Sequence, residues 1–527
     1  MLNRRRAAAL AGLMFVAAGC GVNDDNIEHW KHTQRGPRKI MTVLVGTSYP
    51  QPLRVHAARA LVEMKHPNAN GLDVLALAMQ QMPVSERDSI VHALLPELQR
   101  MMAPAAAPAP GAAAAAPTEP QIKAKDAAYV LLRGDGRSSF ASADDRAALA
   151  NLILDWVLAD FNQRALAGSY TAEQIVNAVG PTAADRLTRA LTSDDNAIPV
   201  SVEIARLINT VGAPAGKQAA VAQLVRNATE VGGAGATERM RAKARSLLTT
   251  GGRAVDDARV NAAAEQLRGQ YLTVLFEAIK TLGQPNGTEY LLAVARDPAV
   301  IIERRRAALT AMSGSVSAAN NAALLAIINA CPAGTPVGGA QCDVDLRGLA
   351  VDRIGETRSR EVIPTLFSLF DQANGVAADM SFTIRWKLGE AILRLGGASV
   401  LPEFMTHLAA QRSAPFAGFT FAEISGEAQA IGDISPPPRD ALRGFTAAAY
   451  AQPVRLLAMM FLGIKGETRD LALLQTFAAD ATAVTGEGWS AAQLTTVGAV
   501  AARSKDNLQQ ALRAAQQAPA NGVAAQP

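Results

Sequence analysis

Aromatic residues are scarce in this chain, 5% of 527 residues, and so are cysteine (three) and histidine (six). So few aromatics argue against a groove that stacks sugar rings. Alternating β-branched runs are also rare, which removes the usual mark of half-buried strands. No apolar run reaches the about 20 residues needed to cross a ~30 Å hydrocarbon core. Basic residues form no block, so the electrostatic footprint of a nucleic-acid binder is missing and no such partner is expected. The phosphate loop G-x-x-x-x-G-K-[ST] and the nucleophile elbow G-x-S-x-G do not occur. VGGAGATER (231–239) clusters glycines, but no strand pattern precedes it, and it reads as a turn between helices. Arg133-Gly134-Asp135, within RGDGRSS, likewise reads as a turn. No cofactor is expected.

What is present begins at the N-terminus. Arg4, Arg5 and Arg6 precede an apolar run at 7–18, and small residues lead to Cys20. This is the three-part layout of an export signal. Ala18-Gly19-Cys20 resembles the lipobox of bacterial lipoproteins, although Ala17 stands where leucine is usual. The resemblance implies cleavage before Cys20, a diacylglycerol on its thiol and an acyl chain such as palmitate on the new amino group. Gly21 after the cysteine implies the outer membrane. The other reading is an ordinary secreted protein in which Cys20 is incidental. Each buried CH₂ contributes about 0.8 kcal/mol, so two or three chains anchor stably where one does not. Without residues 1–19, 48 basic residues stand against 47 acidic ones. The mature chain is nearly neutral.

Cys331 and Cys342 bracket CPAGTPVGGAQC, with ten residues between them. In an oxidising compartment this spacing reads as a structural disulfide closing a flexible loop, stabilising by roughly 2–3 kcal/mol. Free thiols are the alternative. A redox pair would be Cys-x-x-Cys, and no second pair completes a metal site. His29 and His32 share helical spacing without a ligand set and read as a surface pair, so no metal is expected.

The body is rich in alanine, and its apolar residues recur at helical spacing. In YLTVLFEAIKTLG, Leu272, Leu275, Phe276, Ile279 and Leu282 form one stripe. Asp297-Pro298 reads as a helix start, and Pro364 and Pro402 open helical patterns. Several segments share one form: a helix, a terminal glycine, a few polar residues, then another apolar helix. The glycines are Gly283, Gly314, Gly355, Gly396 and Gly463, at intervals of 31, 41, 41 and 67 residues. Arg306, Arg347 and Arg455 each lie eight residues before one of them, and Leu388 takes that place in another copy. A left-handed helix end favours glycine.

These segments, and PLRVHAARALVEM (52–64), IERRRAALTAM (302–312), DLRGLAVDRIG (345–355) and PVRLLAMMFLG (453–463), resemble HEAT repeats. The resemblance implies an all-α fold, an α-solenoid of paired antiparallel helices in which neighbours bury each other's apolar faces. A generic helical bundle is the other reading. Some HEAT proteins hold iron through repeated His-Glu pairs, but this chain has no His-Glu dipeptide. The expected order is signal (1–19), tether and first repeats (20–102), Ala/Pro linker (103–120), main array (121–503), and terminal helix with tail (504–527). Repeated proline keeps APAAAPAPGAAAAAPTE from forming a helix.

Two segments point to partners. HWKHTQRGPRK (29–39) places Trp30, Lys31, Arg35, Arg38 and Lys39 near the expected anchor. It reads either as a face laid against anionic headgroups, at about 1 kcal/mol per basic residue, or as a solvated helix face. The insertions at 331–342 and about 411–440, including PPPRD (436–440), would decorate the repeat surface. The expected function is therefore a non-enzymatic, membrane-tethered scaffold for envelope proteins. An enzyme or accessory with a site assembled across repeats, and a peptide- or envelope-polymer-binding module, are the competing classes.

Overall fold

A computed structural model of the chain describes residues 21–64, 70–103, 116–252, 255–329, 343–372, 378–410, 424–484 and 494–517. The fold is all-α. The described residues contain no strand, only an isolated antiparallel bridge between Ala483 and Thr496. The chain divides into two compact units, Met1–Asn227 and Ala228–Pro527.

The first unit contains α1 (Asp24–Trp30), α2 (Gly36–Val45), α3 (Gln51–Glu63), α4 (Gly71–Gln81), α5 (Val84–Met102), α6 (Glu119–Arg133), α7 (Ala143–Ala159), α8 (Phe161–Arg164), α9 (Ala172–Val179), α10 (Ala183–Ala190) and α11 (Ser201–Val211). Helix α12 (Pro214–Gly232) carries the boundary between the units. Polar caps start several of these helices. Ser142 accepts from the Asp145 amide before α7, and Thr171 and Gln174 form a capping box on α9. Helix α6 packs on α3, α4 and α5, so the helices on both sides of residues 104–115 belong to one body.

A buried ion pair ties a loop to this body. Lys125 on α6 is fully buried. Its ammonium reaches Asp126 at 2.5 Å and donates to the carbonyls of Ala167 (2.6 Å) and Tyr170 (2.7 Å). Asp126 in turn accepts from the Ser169 amide at 2.8 Å. Burial pulls the Lys125 ammonium below its ordinary pKa, against the opposing pull of Asp126. Without these partners a buried charge would cost several kcal/mol.

The second unit contains α13 (Thr237–Thr250), α14 (Asp257–Leu282), α15 (Pro285–Arg296), α16 (Ile302–Ala311), α17 (Asn321–Ile328), α18 (Val344–Glu356), α19 (Ile363–Gln372), α20 (Ala378–Gly396), α21 (Leu401–Ala410), α22 (Ser425–Gly432), α23 (Arg439–Phe445), α24 (Gln452–Lys465), α25 (Thr468–Thr476) and α26 (Val497–Gln517). Alternate helices pack in succession: α14 on α16, α16 on α18, α18 on α20, α20 on α22, α22 on α24, and α24 on α26. Helices α15, α17, α19, α23 and α25 each pack on the next helix of this row along the chain. The stripe Leu272, Leu275, Phe276, Ile279 and Leu282 is buried as expected. Each such side chain contributes about 1.5–3 kcal/mol. Pro364 and Pro402 fall in the first turns of α19 and α21.

One polar device recurs. Each of the four quoted repeat-like pieces coincides with one helix, and each uses an early arginine to cap the helix before it. Arg54 Nε donates to the Leu44 carbonyl (2.9 Å), Arg305 to Ala295 (2.8 Å), Arg347 to Ile328 (2.8 Å) and Arg455 to Thr446 (3.1 Å). The acceptors are carbonyls at or beside helix C-termini, which lack intrahelical donors. A cation there also suits the helix dipole. In the copy around Gly314 the capping residue is Arg305, not the Arg306 that glycine spacing selected. Gly314 lies beyond the end of α16, which shifts the register by one.

The glycines therefore divide into two kinds. Gly283 is the left-handed cap expected of it, with φ 61°. Gly355 and Gly463 lie inside α18 and α24. A Cβ on Gly463 would stand 2.8 Å from Ser504 Cα, so the glycine permits close approach of α26 to α24. Asp297-Pro298 also differs from the expected helix start. Asp297 follows the end of α15, and its carboxylate accepts from the Ala299 amide (2.9 Å), closing a turn before α16.

The insertion near 411–440 is not simply decoration, because α22 belongs to the packed row. Its small residues look like loop in sequence, but they let helices approach. A Cβ on Gly426 would collide with the Trp386 ring on α20.

Candidate functional site

The row of helices leaves a cleft of about 780 Å³ where α20 ends, lined also by α22 and by the segment leading into α23. One wall holds Glu390, Arg394 and Ser399, with Arg360 from the turn before α19. The other holds Gln429, Asp433 and Asp440 with Pro436, Pro437 and Pro438. The structure thus brings PPPRD to the cleft. Its Arg439 does not line it, because Nε donates to the Lys465 carbonyl at 3.0 Å.

The cations and anions are held differently. Arg360 Nε and Nη2 donate to the carbonyls of Leu395 (3.3 Å) and Gly396 (3.0 Å). Arg394 is exposed and makes no hydrogen bond or ion pair with any described residue. Asp433 accepts from Gln429 Nε2 at 2.7 Å, and Asp440 pairs with Arg443 (2.5 Å) and Arg469 (3.2 Å). Glu390 is half-buried. Burial pushes its carboxyl above the ordinary range, and Asp352 adds to this against the pull of Arg394 and Lys387.

Behind Glu390, between α20 and α22, lies Glu427, 1% exposed. Its Oε2 has no hydrogen-bond partner among the described residues. Burial pushes the carboxyl up to about 8. Arg385 opposes the shift and Glu390 adds to it. Glu427 is therefore a neutral acid over most of the physiological range, and it can sit between helices at tolerable cost.

The lining carries two guanidinium groups, Arg360 and Arg394, and three carboxylates, Glu390, Asp433 and Asp440. Ser399 Oγ donates to the Gly396 carbonyl (2.8 Å), and no histidine lines the cleft. The only histidine of this unit, His407, pairs with Asp371 at 2.9 Å.

Of the residues singled out in sequence, Cys20, Cys331 and Cys342 lie outside the described residues. Lys31 is latched to Glu28 (2.6 Å) and Glu63 (2.7 Å). Burial alone would lower its pKa, but these carboxylates outweigh it and hold the ammonium above its ordinary value. Arg35, Arg38 and Lys39 are exposed, and Lys39 Nζ stands 5.1 Å over the half-buried Trp30 ring. His29 and His32 are exposed, as a surface pair would be. In RGDGRSS, Asp135 accepts from the amides of Arg137 and Ser138, both at 2.8 Å, which closes the expected turn.

Sequence reasoning missed Arg360, Glu390 and Arg394. Arg394 could have been marked as a basic residue in the last turn of a helix that ends beside a proline-rich insertion. Among the described residues no group of three or more His, Cys, Asp or Glu could hold a metal ion, and no helix is long and apolar enough to cross a membrane. No protein-family model matches the chain, and neither does any curated protein.

Proposed function

We propose that this protein is a lipid-anchored, non-enzymatic scaffold of the bacterial cell envelope. In this reading it is a HEAT-like solenoid that holds a protein partner against its repeats. The observation that supports it is the cleft at the end of α20. Its unpaired cation and stiff proline wall face solvent on a row of helices that packs neighbour to neighbour. Proline fixes φ, so such a wall loses little entropy when a partner binds. Cys20 provides the anchor. Arg35, Arg38 and Lys39, rather than the latched Lys31, form the face laid against headgroups.

Two experiments test this. A photo-crosslinking residue in place of Ser399 should give a discrete protein adduct in the native envelope, while the same residue at exposed Glu289 should not. Equal labelling at both positions, or none at Ser399, removes the cleft as a protein-binding site. For the membrane face, a Cys20→Ala form should bind vesicles containing phosphatidylglycerol. Neutralising Arg35, Arg38 and Lys39 together should abolish that binding, and Lys31→Gln should leave it intact. Equal loss in both variants would refute the assignment.

A further inference from the structure

We propose that the Arg360–Arg394 end of the cleft is a carboxylate site that takes an acidic residue of an extended partner peptide. This rests on the protein-binding reading above and names its chemistry. Arg360 is preorganised, because the Leu395 and Gly396 carbonyls hold its Nε and Nη2. Its Nη1 makes no hydrogen bond with a described residue. Arg394 precedes Leu395 in the chain, lines the same cleft, and has its whole guanidinium unengaged among the described residues.

Arg296, Arg358, Arg503 and Arg513 of this unit are also exposed with no hydrogen bond or ion pair to a described residue, but they do not line the cleft, and the half-exposed arginines are engaged. Arg306 holds Asp343, and Arg443 holds Asp440, Glu467 and Asp470. The carboxyl best placed to neutralise Arg394 is Glu390, four residues earlier on α20, but it forms no ion pair with it. Burial also disfavours its charged form. Two forks with open N–H groups therefore form no ion pair or hydrogen bond with a described carboxylate. A planar carboxylate matches that donor set bidentately.

The rest of the lining decides what kind of anion fits. Asp433 and Asp440 line the same cleft. A polyanion, or a surface of lipid phosphates, would face these carboxylates and be repelled, whereas one carboxylate on a peptide of mixed charge would not. Pro436, Pro437 and Pro438 fix φ along their part of the lining, so a peptide lies beside it without ordering it first.

The test uses the full chain carrying Arg394→Lys, which keeps the charge and supplies a primary amine. A zero-length carbodiimide crosslinker joins that amine only to a carboxyl group in contact with it. In the native envelope, mass spectrometry should map the crosslink from position 394 to an Asp, Glu or C-terminal carboxyl of another polypeptide. A synthetic peptide spanning the mapped residue should bind the purified wild-type protein, and its amide counterpart should bind at least tenfold more weakly. Arg394→Gln should weaken the carboxylate peptide by the same factor. Because Arg360 also supports the turn at Leu395, Arg394→Gln and not Arg360→Ala is the decisive variant.

Only an intramolecular link to Glu390, or equal binding of peptide and amide, overturns the proposal. Phosphatidylglycerol vesicle binding lost in Arg394→Gln would overturn it in favour of a headgroup. If Ser399 still labels a protein while position 394 reaches no carboxyl, the carboxylate inference fails and the scaffold reading survives. Loss of the Ser399 adduct alone removes the scaffold reading.

Discussion

The surface joining α1, α3 and α5 and the cleft at the end of α20 both carry arginines and carboxylates, yet they use them in opposite ways. In the first, Lys31 bridges Glu28 and Glu63, His56 reaches Glu28 at 2.7 Å, and Arg59 contacts Glu63 (3.3 Å) and Glu97 (3.5 Å). Each charge ties one helix to another. In the second, Arg394 has no partner among the described residues, and the half-buried Glu390 is held toward neutrality. In a chain built of short alanine-rich helices with few aromatics, charge supplies much of the specificity that latches neighbours together. Other exposed arginines are left out of that scheme too, but Arg394 is the one that lines the cleft beside a second guanidinium. Because single exposed pairs contribute only 0–1 kcal/mol, the contrast is one of roles more than of summed energies.

The contrast breaks first at Lys125, the most deeply latched charge of the first unit. Lys125→Met keeps the side-chain length and removes the ammonium. Asp126 and the carbonyls of Ala167 and Tyr170 then lose their donor. Leaving one member of a buried pair costs about 3–5 kcal/mol, and urea unfolding should show a loss of that order. A loss below about 1 kcal/mol would mean that the first unit does not depend on its latches.

The next effect sharpens the comparison through pH. Glu427 has a folded pKa of about 8, above the 4.5 of the unfolded chain. Its contribution to stability is therefore fully present below about 4.5 and is lost as pH rises through about 8. Within that window the slope is at most about 1.4 kcal/mol per pH unit. Glu427→Gln should flatten this dependence and stabilise the protein at pH 8 relative to wild type. Thermal unfolding measured from pH 5 to pH 8.5 checks it. Parallel curves for the two proteins would show that Glu427 does not titrate abnormally.

These effects also mark where sequence reading stopped. The helical class was legible because apolar spacing is local: the stripe from Leu272 to Leu282 needs no partner to be recognised. The repeat-like pieces were legible as helices for the same reason. The cap register was not, since the distinction between Arg305 and Arg306 depends on which residue faces the carbonyl of Ala295. Gly355 and Gly463 looked like helix ends because glycine at a helix end and glycine under a neighbouring helix give the same letter. Lys31 looked free because its second carboxylate, Glu63, lies on another helix. PPPRD was legible as stiff, but the cleft beside it is made by residues far apart in sequence, from Arg360 to Asp440. Spacing along the chain carries no record of that meeting.

The smallest expected effect is also the most discriminating. Arg394 is exposed and has no partner among the described residues, so Arg394→Gln removes no latch. Its stability should stay within about 0.5 kcal/mol of wild type, as for surface substitutions away from any special feature. Arg347 offers the matched control in the same unit. It is half-buried against the end of α17, where its Nε donates to the Ile328 carbonyl, and desolvation lowers its pKa. Arg347→Ala should cost about 1.5–3 kcal/mol, the range for a hydrogen bond from a charged group. Paired urea titrations of the two variants decide the matter. If Arg394→Gln destabilises as much as Arg347→Ala, the cleft arginine is one more latch and the difference between the two regions disappears. If it leaves stability unchanged while removing the Ser399 adduct, the open charge faces a partner.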